Sequence, residues 1–287
     1  MTVRTILVPL LGTGADRMAL DTATAVAKRF GAHLDALFVG ADPRDSVLVL
    51  GDGMSTLMLD EIMQTAESTR QSRLETAQHS FRAAVMGMAE AEGPAPSQGA
   101  TVRWRETIGR IDQVVAAEGR LFDLTVVAGV EPNSGAGGLI TEAYDAALLF
   151  TGRPVLVVRT PSARLGRVVT VAWNGSVEAS RAVAAALPWL VGAAQVHVVT
   201  VGLSESSAGA GHRLAAYLAW HGVAARVSSL KPGVDSVGAA ILRRAGELES
   251  DLLVMGAYGH SRMREIILGG ATRHILTHPG PTVLMVH

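Results

Sequence analysis

Residues 251–286 read DLLVMGAYGHSRMREIILGGATRHILTHPGPTVLMV, and their reading sets the terms for the rest of the chain. The apolar run at 252–255 stops at Gly256 and Gly259 follows. A polar interval then leads to the pair Gly269-Gly270, a helix-patterned segment and a last apolar run. This order predicts strand, glycine loop, helix, strand. A glycine loop in that place brings backbone N–H groups and the positive end of a helix together without Cβ atoms in the way, which is what a phosphate group needs.

The start of the chain has the same grammar. Residues 6–11 are apolar without alternation, the pattern of a strand covered on both faces, and Gly12 and Gly14 end it. Residues 16–30 place Met18, Ala19, Thr22, Ala23, Val26, Ala27 and Phe30 at helical spacing, with Gly31 as the closing residue, and 33–39 read as a second strand. Further strands are predicted at 101–106, 124–128 and 155–158, and helices at 57–92, 111–118 and 139–150. The helix at 57–92 exceeds what one small sheet needs, and its surplus is expected to pack on a partner copy or subunit.

Residues 160–166, TPSARLG, break the periodicity and read as a linker, after which the pattern repeats. Strands are predicted at 168–173, 196–201 and 224–229, and helices at 179–191, 212–220 and 236–247. The fold class is therefore α/β: two tandem five-stranded parallel-sheet domains of Rossmann-like type, residues 1–160 and 166–287. Ligands in such sheets bind beyond the carboxyl ends of the strands. In the second copy, Ala172 to Asn174, Val201-Gly202 and Met255-Gly256 should then share one crevice with the glycine loop. The same edge of the first copy carries Leu10-Leu11-Gly12, Val39-Gly40 and Ala128-Gly129.

Composition narrows the function classes. A chain of 287 residues buries roughly three quarters of its unfolded surface. Apolar residues make up 48% of it, in short runs far from the roughly 20 consecutive residues of a membrane span, so no membrane partner is expected. The first apolar run leads into a glycine turn rather than a cleavage site and reads as a buried strand. Cysteine is absent, which removes disulfides, thiolate metal sites and a Cys nucleophile, and agrees with a cytoplasmic location. A net charge of −1 with interspersed signs, and only 4% aromatic residues, lack the footprint of a nucleic-acid binder.

The spacing Gly256, two residues, Gly259, nine residues, Gly269 resembles the nucleotide-loop signature of the universal stress protein (UspA) family, and GAYGHSR with GGATRHIL resembles its tandem two-domain members. The resemblance implies an adenine nucleotide alpha-hydrolase-like fold and an ATP or AMP site in competent domains, with Mg2+ brought only by the nucleotide. It also implies an internal pseudo-dimer, with room for a homodimer, and a role in stress tolerance rather than a defined reaction. Carried over by position, Ala172, Val201 and Met255 line the base and ribose pocket, and Asn174 takes the place of the family's acidic residue at the nucleoside end. Asn hydrogen-bonds but brings no charge. Gly256, Gly259, His260, Ser261, Gly269, Gly270, Ala271 and Thr272 form the phosphate loop. Gly270 stands where the family has a hydroxyl residue, and Thr272 supplies a hydroxyl two residues on.

In the first copy the stretch after Gly129, VEPNSGAGGLITEAYD, has the wrong glycine spacing and brings Glu131, Glu142 and Asp145, and Leu11 stands at the acidic position. No phosphate site, or a site for a different ligand, is expected there.

Other readings compete. Gly256 and Gly259 also suit a plain strand-to-helix turn, and a scaffold of the same fold acting through protein contacts or an apolar ligand is the alternative function. His274 and His278 have the spacing of a metal pair but lack a third ligand. Gly12-Thr13-Gly14 with Asp35 approaches a dinucleotide fingerprint, except that Arg17 replaces the third glycine. A Gly-Lys-Ser/Thr P-loop is absent. Met54, Met58, Met63, Met86 and Met88 are read as gap-filling core before an adaptable groove. With no Ser/His/Asp set or carboxylate cluster in view, an enzyme is not expected, beyond slow, incidental ATP hydrolysis.

Overall fold

The computed structural model describes residues 2–42, 44, 56–91, 99–129, 137–160, 165–202, 209–231, 236–258 and 270–287. In the first half, β1 (Thr5–Leu10), α1 (Asp16–Phe30), β2 (His33–Gly40) and α2 (Thr56–Ala84) come first. They are followed by β3 (Ala89–Glu90), β4 (Thr101–Ile108), α3 (Ile111–Glu118), β5 (Leu124–Ala128), α4 (Gly137–Phe150) and β6 (Val155–Val158). The second half runs β7 (Val168–Ala172), α5 (Val177–Val191), β8 (Gln195–Val201), α6 (Ala210–Ala219), β9 (Ala225–Leu230), α7 (Val237–Glu247), β10 (Leu252–Gly256), α8 (Ala271–Thr277) and β11 (Thr282–Val286).

These strands form one continuous sheet in the order β3-β4-β2-β1-β5-β6-β11-β10-β7-β8-β9. The sequence predicted two five-stranded sheets; the structure joins them and adds the short β3 at one edge. Pairing is parallel within each half, with equivalent registers: Thr5 faces His33 on β2 and Val168 faces Gln195 on β8. The halves meet where β6 and β11 run antiparallel, Val157 opposite Val283 and Val155 opposite Met285.

Helices cover both faces, which is why the strands carry unbroken apolar runs. On one face Leu20, Phe81, Val183 and Leu218, from α1, α2, α5 and α6, share a core; on the other Val115, Ala147, Ile241 and Ile275, from α3, α4, α7 and α8, do the same. Because the junction is antiparallel while the faces are shared, the carboxyl ends of the two sets of parallel strands point to opposite ends of the molecule. Phe30 of α1 meets Trp189 of α5 edge-on across the junction, with centroids 5.1 Å apart. No described helix is long and apolar enough to cross a membrane.

A repeated carboxylate clamp ties each half together. Asp123, just before β5, accepts the backbone N–H groups of Arg4 (2.8 Å) and Thr5 (3.1 Å). Asp251, just before β10, accepts those of Gly166 (2.7 Å), Arg167 (3.0 Å) and Val168 (3.2 Å). Donors that would be orphaned at the entry to the first strand of each half are thus satisfied by a residue over eighty positions away.

The helix expected at 57–92 ends at Ala84. Gly87 takes a left-handed φ of +78°, Met88 N–H bonds the Val85 carbonyl, and Ala89 and Glu90 then pair with Thr101 and Val102 of β4. An open sheet edge supplies backbone partners that a further helical turn past a glycine does not. The long α2 lies across the strand ends of its own half rather than on the other copy. Gly12, at φ +68°, sits so close that a Cβ there would overlap the Arg73 backbone, and one on Gly40 would lie 3.1 Å from the Arg70 side chain.

Candidate functional site

The carboxyl edge of the second half is assembled from β7, β8 and β10. Ala172 and Met255 are buried on neighbouring strands, one residue beyond the Val171–Val254 pair, and Val201 is half-buried at the end of β8. The structure therefore brings together the three positions assigned to a base and ribose pocket. Beyond Ala172 the chain turns through Trp173, Asn174 and Gly175, whose φ of +78° requires a residue without Cβ strain.

Asn174 is exposed, and its Oδ1 accepts the Ser176 N–H at 3.0 Å. Its side-chain carbonyl is thus oriented by the turn, and the amide NH2 is the donor end available to meet a ligand. Ser176 caps α5, its Oγ accepting the Ala179 N–H at 3.1 Å.

Gly256 plays a packing role. A Cβ on it would lie 2.7 Å from the Glu178 carbonyl carbon and would overlap the Ala179 nitrogen, so the end of β10 and the first turn of α5 touch backbone to backbone. The requirement for glycine here comes from helix–strand packing.

Gly259, His260, Ser261 and Gly269 lie outside the described residues, as do Arg262 and Arg264. The ends of their segment are fixed. The Tyr258 N–H donates to the Thr272 hydroxyl at 3.5 Å, and Tyr258 holds a left-handed φ of +52°. Gly270 is the N-cap of α8 without a side-chain cap, Ala271 opens the helix, and Thr272 is 3% exposed. Thr272, assigned to the loop as a source of a hydroxyl, turns that hydroxyl to the Tyr258 N–H. Burial, then the charge of Asp145, raises the phenol pKa of Tyr144 of α4, in the first half, against a smaller lowering by Tyr258. His287 Nδ1 lies 3.0 Å from the Ala257 carbonyl.

Beside Asn174 a cleft of about 360 Å³ opens between α5 and α6, lined by Trp173, Gly175, Ser180, Arg213, Leu214 and Tyr217. The Trp173 indole N–H is buried with no acceptor among the described residues. Sequence reading passed over this cleft because its residues come from two helices and a turn that share no motif.

The first-half edge is built otherwise. In the turn after β1, the Asp16 carboxylate accepts the backbone N–H groups of Leu11 (3.1 Å), Gly12 (2.8 Å) and Thr13 (3.3 Å), and the Thr13 hydroxyl at 3.2 Å. Burial pushes the pKa of Asp16 up to about 6 against the pull of these donors. The donors that would greet an anion in this turn are already taken by the chain's own carboxylate. Asp16 went unnoticed in the sequence, although Thr13 three residues ahead of an acid at a helix start is a legible capping signal.

His274 and His278 stack with centroids 3.7 Å apart and planes 16° from parallel, and burial, then the charge of His278, lowers the His274 pKa. Among the described residues no three His, Cys, Asp or Glu side chains form a metal-binding group.

Neither a family model nor a curated protein matches the chain. Solved structures do match over its whole length. A universal stress protein from Archaeoglobus fulgidus superposes with a TM-score of 0.67 at 15% identity, covering 99% of this chain and 96% of that one. A putative universal stress protein from Pseudomonas aeruginosa gives 0.57 at 16% identity, covering 99% and 93%. A protein of unknown function from Pseudomonas aeruginosa gives 0.58 at 15%, covering 99% and 92%. The chain has the universal stress protein fold, in the form that places two such units in one polypeptide.

Proposed function

We propose that the protein is a tandem universal stress protein that binds an adenine nucleotide, ATP or AMP, in the second half and acts in stress tolerance as a binding protein rather than an enzyme. On this reading residues 1–160 and 166–287 are the two units, the chain works in the cytoplasm, and Mg2+ arrives only with the nucleotide. The nucleoside end lies over Ala172, Val201 and Met255 with the Asn174 amide as donor, and the phosphates lie along the loop that carries Gly256, Gly259, His260, Ser261, Gly269, Gly270, Ala271 and Thr272.

The observation that carries this reading is the asymmetry of the two strand edges. In the first half Asp16 occupies the turn donors and α2 lies against Gly12 and Gly40. In the second half Asn174 is exposed, an open cleft adjoins it, and Tyr258 and Thr272 hold the ends of a glycine-spaced loop at the same edge. Isothermal titration of the full chain with ATP, ADP and AMP is the test. Binding that Gly259→Val and Asn174→Ala weaken supports the proposal, and the absence of heat and of any thermal shift at millimolar nucleotide overturns it.

The scaffold reading draws on the end of α6, where Tyr217 is 43% exposed and Trp220, the residue just past the helix, 90% exposed. Capture of a protein partner that nucleotide leaves unchanged and Trp220→Ala abolishes would favour it.

A further inference from the structure

A second cavity, of about 220 Å³, lies at the junction of the halves, and its lining includes Val286, the register partner of Gly256. One wall is the amino-terminal edge of the first half's sheet, with Val3, Leu124 and Pro154; the other is the inner face of α5, with Ala185, Pro188 and Trp189. Neither half forms it alone. Its walls are mainly apolar, but two arginines, Arg153 and Arg181, are among the lining residues.

Each guanidinium is only partly used. Arg153 Nε donates to the Arg120 carbonyl at 3.1 Å and Arg181 Nη1 to the His287 carbonyl at 3.3 Å. Among the described residues neither pairs with an Asp or Glu side chain. Glu178, one turn before Arg181, has its pKa lowered chiefly by hydrogen bonding to its own backbone N–H and to Ser176, with Arg181 adding least, and it makes no ion pair at contact distance. Asp123 also lines the cavity, its Oδ2 accepting the Arg4 and Thr5 N–H groups, and its single negative charge is outnumbered by the two arginines. An arginine presents five donors in a planar fork, so both retain donors suited to an oxygen anion.

The α5 wall adds polar groups that the fold leaves over. Pro188 lies inside the helix and has no N–H to return to the carbonyl of Ala184, also on the lining. Trp189 is 1% exposed, and its indole N–H has no acceptor among the described residues. At the equivalent place on α1 stand Ala25 and Val26, so the two halves differ in the residues that shape this space.

We infer that the cavity binds a small monocarboxylic acid with an apolar body, the carboxylate held by Arg153 and Arg181 and the body against Pro154, Pro188 and Trp189. The volume is below the ~300–1,000 Å³ of pockets for drug-sized ligands, which limits the body to about one ring or a short alkyl chain. Charge and apolar surface must act together, because an exposed guanidinium pair without a hydrophobic anchor holds an anion weakly.

The test uses the full chain and three probes: phenylacetate, its uncharged analogue phenylethanol, and acetate. Phenylacetate at millimolar concentration is expected to move the indole N–H resonance of Trp189, assigned by its loss in Trp189→Phe, with the other two binding about ten-fold or more weakly. Arg181→Gln should weaken phenylacetate about ten-fold, and Ala185→Leu, which fills the space, should abolish the response. If Ala185→Leu does not fold, Arg181→Gln, a change at an exposed side chain, decides. No response to phenylacetate, equal binding of phenylethanol, or unchanged binding in Arg181→Gln overturns the inference. Nucleotide titration is read separately, so failure here leaves the proposal for the glycine loop standing.

Discussion

Gly256 and Glu178 touch through their main chains, so that a Cβ on the first would come within 2.7 Å of the carbonyl carbon of the second. Gly256→Val is therefore expected to lower global stability by about 1–3 kcal/mol or more, as overpacking of a tight contact does. Urea unfolding measures it. A variant as stable as the parent would show that α5 can retreat from β10. Loss of ligand binding in Gly256→Val therefore reports on the fold, and Gly259→Val or Asn174→Ala is the more informative change for the site.

Asp16 sets a pH dependence. Its pKa in the folded protein is raised from 3.8 to about 6 by burial, so the folded chain holds this proton more tightly than the unfolded one. Stability from this group is present below about pH 4 and lost as pH rises through about 6, amounting to about 3 kcal/mol across the window. Denaturant midpoints between pH 4 and 7 should fall with rising pH in the parent beyond what Asp16→Asn shows. Equal slopes in both proteins would refute it.

Asp35 is fully buried on β2 and is held by Arg103 and by Arg105 Nε at 3.0 Å, while Arg105 Nη2 reaches Glu118 at 2.5 Å. The two arginines are only about one third exposed, 34% and 29%. Asp35→Ala should cost about 3 kcal/mol, towards the lower end of the range for breaking a buried pair because the stranded charges retain some water. Thermal unfolding reads this directly, and a loss below about 1 kcal/mol would contradict it.

The clamps Asp123 and Asp251 offer a paired test. Asp123→Ala and Asp251→Ala each remove charge-assisted bonds to backbone N–H groups, with an expected loss of about 1.5–3 kcal/mol per site. Because the clamps sit at the amino ends of strand sets that point to opposite ends of the molecule, the double variant should lose about the sum. Chemical denaturation of both singles and the double provides the comparison.

Much of this was legible in the residues. The apolar runs at 6–11 and 252–255, the glycines that end them and the helical spacing of 16–30 led to the α/β fold that the structure has. What the sequence left open was decided by distant backbone. Nothing local marks that Arg73 will lie on Gly12, or that β6 and β11 will pair antiparallel, since each depends on where another element comes to rest. The end of α2 at Ala84 was missed for a related reason: helix-forming composition continues past it, and pairing with β4 overrides it. At the candidate site, the strand-end positions were identified correctly as neighbours. The cleft lined by Arg213 and Tyr217 was not, because helix faces from separate segments combine only in three dimensions.

The antiparallel contact of β6 with β11 also fixes how the two halves respond to dilution. When two separate chains pair edge to edge, their association weakens as concentration falls, and stability follows. Here the partner strand is supplied by the same polypeptide, so the junction forms in a unimolecular step and its strength is independent of protein concentration. Such a molecule keeps both halves, and the cavity between them, intact at a few copies or at many.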